Sequence, residues 1–63
     1  MHDTAILIRC RAEGDALEVE CLGGNLMRYA KATGDLFLLR TAKAVHRTGR
    51  EMAKHINGVV EAA

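Results

Sequence analysis

Between Thr4 and Leu22 apolar and polar residues alternate, and the alternation is interrupted at Gly14-Asp15. A period of two with a Gly-X pair between the runs predicts a β-hairpin over residues 4–22, closed by a type II′ turn at Gly14. Pairing about that turn sets Ala12 opposite Leu17, Cys10 opposite Val19 and Ile8 opposite Cys21 on one face. On the other face Arg11 meets Glu18 and Arg9 meets Glu20. Any odd shift of register would break both the apolar face and the charge pairs. Leu7 and Leu22 then meet on the charged face, an apolar patch that needs a cover from the chain's own helix or from another molecule.

After Gly23-Gly24 the pattern changes to a helical one, with Asn25 as N-cap and no proline anywhere in the chain. Gly34 is its weak point. Leu26, Met27, Ala30 and Phe37 are out of phase with the residues that follow, which predicts a short helix over residues 25–33 and a long one over 35–61. An unbroken helix from Asn25 is the alternative. Asn57-Gly58 resembles a C-terminal stop behind Lys54 and His55, although Val59 and Val60 could carry the helix further. The expected fold class is α+β, in the order ββαα.

The long helix carries the most regular signal. Leu38, Ala42, Val45, Gly49, Met52, Ile56 and Val59 alternate in spacings of four and three, an apolar seam that calls for another helix. The seam can pack on the chain's own first elements or on a second copy, and the latter makes the protein a homodimer. Two such helices would cross antiparallel at Gly49, with Val45 near Ala53 and Ala42 near Ile56 of the other copy, so that large meets small. Arg40, Lys43, Arg47, Arg50 and Lys54 form a second row, offset about 200° from Leu38 and about 21 Å long. That row is either a solvated face or a match for a nucleic-acid backbone or an acidic protein.

Composition narrows the functions. The chain has 63 residues, enough for one domain (1–63) and too few for a deep cleft beside a stable core. Tyr29 and Phe37 are its only aromatics, so the core is aliphatic and thin. A partner, a metal or a disulfide is the usual remedy at this size. Charge is uneven: net −3 over Met1–Gly24 and net +3 over Leu36–Ala63, within a total of +1. No apolar run approaches a membrane span or a secretion signal, which places the chain in the cytosol with Cys10 and Cys21 as reduced thiols, read as small buried hydrophobes.

No catalytic, cofactor or metal site is expected. Serine is absent, and Gly23-Gly24 lacks the Lys-Ser/Thr of a phosphate loop. The cysteines and histidines are too far apart for a zinc finger. A Cys–His pair is conceivable from Cys10 or Cys21 with His46, but His46 borders the seam and reads as an edge-of-core histidine, while His2 and His55 read as solvated. The reading is therefore a small non-enzymatic binding module: a protein-binding regulator or inhibitor acting as a dimer, with a nucleic-acid binder using the basic row as the alternative. Membrane-surface binding is a third class, weakened by the scarcity of aromatics on the apolar face.

Overall fold

The computed structural model describes residues 2–62, with side chains described over 7–58. It is a hairpin of two long helices, α1 (His2–Thr33) and α2 (Leu36–Ala62), and among the described residues there is no strand. The molecule is a rod of 49 × 18 × 11 Å. That length is close to the roughly 48 Å expected of a 32-residue helix rising 1.5 Å per residue.

The expected ββαα arrangement is thus wrong over its first half: residues 4–22 are helix, and the β-hairpin does not exist. A type II′ turn needs positive φ at its first central residue. Among the described residues the only positive φ belongs to Gly34, not Gly14. Arg9 does not face Glu20 across a ladder; its Nε lies 3.6 Å from Glu13 Oε1, one helical turn on. Asn25 is not an N-cap either. It sits inside α1, where its Oδ1 accepts a hydrogen bond from Arg28 Nη1 at 3.3 Å.

Two physical reasons favour the helix. Ala, Leu, Glu and Arg, eleven of the nineteen residues of 4–22, are good helix formers, and a lone two-stranded hairpin is marginal in water. Read at 3.6 residues per turn, Ala12, Ala16, Val19, Gly23, Met27 and Ala30 also make one continuous stripe. The stripe is mostly Ala and Gly, so it has little weight in a pattern of large apolar residues.

The reversal at Gly34 is built from caps. With φ of 71°, Gly34 takes the left-handed conformation that ends α1, and the Asp35 N–H closes back on the Ala30 carbonyl at 2.9 Å. That bond is the outer one of a Schellman motif. Asp35 then caps α2: its carboxylate Oδ1 accepts from the Leu38 N–H at 2.9 Å, and its carbonyl accepts the first helical bond from Leu39 at 3.0 Å. Two residues therefore satisfy both helix ends. At the other end α2 continues through Asn57-Gly58 to Ala62.

The two glycines in these alternative roles give opposite tests. A Cβ at Gly14 would meet nothing within 4 Å, so Gly14→Ala should raise stability by about 1 kcal/mol, a rise in Tm of about 4–8 °C. In a II′ hairpin the same change would destabilise. Gly34→Ala should cost about 1–2 kcal/mol through its positive φ. Thermal melts followed by far-UV circular dichroism measure both, and a lower Tm for Gly14→Ala would contradict an α1 that runs through Gly14.

Candidate binding surfaces

The contact between the helices is made by small residues. Ala16, Ala30 and Ala42 are the buried apolar side chains among those described, and Gly23 and Gly49 are buried beside them. A Cβ on Gly23 would fall 2.5 Å from the backbone nitrogen of His46; one on Gly49 would meet the backbone nitrogen of Glu20, and the Ala16 carbonyl oxygen at 2.8 Å. Backbone thus meets backbone at two levels, with antiparallel chains.

The α2 seam read from the sequence faces α1 of the same chain. Ala42 and Gly49 are buried, Leu38, Val45, Ala53 and Ile56 half-buried, and Met52 exposed at the rim. The Val59 side chain, which would extend the seam, lies outside the described residues, as does that of His2. His46 sits at the contact edge, half-buried, its Nδ1 3.0 Å from the Glu20 carbonyl oxygen and 3.9 Å from a Cβ built on Gly24.

Those contacts fix the handedness of the two edges. Glu20, Gly24 and His46 share one edge of the helix pair. At about 100° per residue, the opposite edge carries Leu22 and Leu26 of α1 with Thr41, Val45 and Thr48 of α2. This second edge is free of charge from Leu22 to Tyr29 on α1 and from Phe37 to Thr48 on α2, and exposed Asp15 and Glu51 bound it at the end away from the turn. Leu22 (52%), Leu26 (42%), Tyr29 (61%) and Phe37 (81%) are exposed along it. On α2 Phe37, Thr41, Ala44, Thr48 and Met52 follow one another at spacings of four, three, four and four, all exposed and none charged.

The threonines on this edge ask for nothing polar. Thr41 Oγ1 donates to the Phe37 carbonyl at 3.0 Å and Thr48 Oγ1 to the Ala44 carbonyl at 2.8 Å, both one turn back in the same helix. With the hydroxyl so satisfied, such a side chain can be covered by apolar atoms without the penalty of a buried unpaired group.

Arg40, Lys43, Arg47, Arg50 and Lys54 are all exposed, on a sector of α2 turned away from this edge. Among the described residues the only ion pair is Arg9–Glu13, so no described carboxylate lies within ion-pair distance of the row. Sequence reasoning found this row and the seam. It missed the uncharged edge, because Leu22 lies on the stretch read as a hairpin and the antiparallel pairing that sets Leu22, Leu26 and Tyr29 beside Thr41 and Thr48 was not foreseen.

The cysteines, expected to be buried, are exposed free thiols. Eleven residues apart on one helix, they stand about 16 Å apart along the axis, beyond disulfide reach of one another. Among the described residues no group of three or more His, Cys, Asp or Glu is placed to hold a metal ion. No helix among them is long and apolar enough to cross a membrane. Comparison with family models, with characterised proteins and with solved structures finds no match for this chain.

The glycines at the two close approaches are the sharpest test of the helix contact. Alanine is the better helix former by about 1 kcal/mol, yet Gly23→Ala and Gly49→Ala each press a methyl onto backbone that cannot swing aside. Overpacking of about 1–3 kcal/mol should win. Both variants should melt lower than the parent, whereas Gly14→Ala melts higher; a stabilised Gly49→Ala would mean that the helices do not touch there.

Proposed function

We propose that the chain is a non-catalytic, cytosolic protein-binding module that docks a partner helix along its uncharged edge. One observation carries this reading: the buried positions of the helix contact are Ala and Gly, while Leu22, Leu26, Tyr29 and Phe37 are left exposed. Leu22, Leu26, Tyr29 and Phe37 beside a shallow trough of Thr41, Ala44 and Thr48 have the form of a helix-docking groove. The absence of charge along the trough suits the desolvated centre of an interface, where charged residues are depleted. The two exposed thiols fit a reducing compartment. The narrower expectation of a regulator or inhibitor has no support in the fold or in the comparisons.

Site-specific photo-crosslinking in cells tests the reading. A photoreactive residue in place of Ala44 should give protein adducts, and one in place of Arg47, on the cationic sector, should give few. Adducts from position 47 alone would remove the proposed docking edge.

The exposed and unpaired state of the cationic row supports a second reading, a polyanion bound along α2. If five cations neutralise five phosphates, duplex affinity should fall with salt at a log–log slope of about −4.5, and Arg47→Glu with Arg50→Glu should abolish binding. A slope near zero in a filter-binding or anisotropy titration would eliminate nucleic acid as the ligand of this row.

A further inference from the structure

We infer that the occupant of the uncharged edge is a second copy of the same chain, packed two-fold into a four-helix bundle. This inference rests on the docking reading above and names its partner.

The chain leaves 5089 Å² accessible to solvent. A compact monomer of 6.9 kDa would leave about 4,000 Å². The excess, about 1,100 Å², exceeds the roughly 800 Å² that each partner contributes to a standard interface. The radius of gyration agrees: 14.6 Å, against about 10.6 Å for a compact domain of 63 residues. A flat rod 11 Å thick is one layer of helices, and a helical layer with one apolar face requires another layer to cover it.

The edge holds a ridge and a trough side by side: Leu22, Leu26 and Tyr29 on α1, and Thr41, Ala44 and Thr48 on α2. A two-fold axis through the edge lays the ridge of one copy into the trough of the other, and does so twice. Large then meets small in both halves, the self-complementarity that an isologous interface requires. The threonine hydroxyls stay bonded within their own helices, so closing the interface leaves none of them unpaired.

An acidic or basic partner would find no counter-charge in the trough from Phe37 to Thr48, whereas a second copy brings the uncharged stretch from Leu22 to Tyr29 of its own α1. The cationic rows lie away from the contact and remain in solvent, so the polyanion reading does not compete with this one.

Sedimentation equilibrium of the full chain from low to high micromolar concentration tests the inference. The mass should approach twice that of the chain, and the wild-type Tm should rise with concentration as association stabilises the folded state. Leu26→Glu and Ala44→Glu put a carboxylate at exposed helical positions, and because the two-fold axis buries each charge twice, the dissociation constant should rise at least about tenfold. Arg47→Glu should leave the mass unchanged. Circular dichroism separates a folded monomer from an unfolded chain, and should a variant unfold, the concentration dependence of the wild-type Tm decides. A monomer at high micromolar concentration with a concentration-independent Tm would overturn the second copy, as would a dimer indifferent to both carboxylates. If the protein is monomeric and position 44 still crosslinks to a different protein, the second copy is wrong and the docking edge stands. If position 44 gives no adduct at all, both are wrong.

Discussion

The structure depends on two places where the helices touch backbone to backbone. At Gly23 against His46, and at Gly49 against Ala16 and Glu20, the side chain is absent because there is no room for one. Glycine inside a helix costs about 1 kcal/mol against alanine, and the chain carries that cost at both crossings. Close approach recovers it through dispersion contacts spread along the two backbones. A consequence follows for the exterior. An interface of Ala and Gly has no space for Leu, Tyr or Phe, so those residues go to the rim and the outside, and the helix pair alone buries no large side chain completely.

Small-residue packing also explains how α1 holds together. Its large apolar residues point in several directions, Leu7, Leu17 and Leu22 being each more than half exposed, so no strong apolar face drives it onto α2. What orders it is the combination of helix-forming composition, the Gly34-Asp35 reversal and the small-residue stripe. Once Asp35 caps α2 and the Schellman bond closes α1, the helices leave the turn already antiparallel, and the register of Gly23 and Gly49 is set by chain length alone.

The same features decide what the sequence made legible. α2 could be read because its seam repeats in fours and threes with large residues between the small ones, and because five cations repeat on another sector. α1 could not, for a specific reason. Arg9, Arg11, Glu18 and Glu20 pair well across a hairpin, but Arg9 and Glu13 are also one helical turn apart, and Gly14-Asp15 serves as a turn or as an exposed stretch of helix. The deciding signal was Ala12, Ala16, Gly23 and Ala30 in helical phase. Alanine and glycine carry little apolar surface, so the residues that define the contact are the ones a hydrophobic pattern weighs least. The uncharged edge was hidden with them, because it exists only when Leu22 and Leu26 stand on a helix beside Thr41 and Thr48.

α2 divides its circumference into three sectors roughly 120° apart. One holds the contact with α1, one is uncharged, and one is cationic. This division restricts how a second layer can be added. Two α2 helices meeting through their cationic sectors would set like charges opposite one another, which is unfavourable wherever water is excluded. The outer surface of α1 carries Glu18 and Arg28, and Arg11 stands five turns before Tyr29 at the same angular position, so the uncharged part of α1 is the stretch from Leu22 to Tyr29. The stretch from Phe37 to Thr48, beside Leu22 to Tyr29, can be desolvated without stranding a charge, and Asp15 and Glu51 close it at the end away from the turn. The row of cations therefore has a structural effect as well, since it leaves α2 one exposed sector free of positive charge.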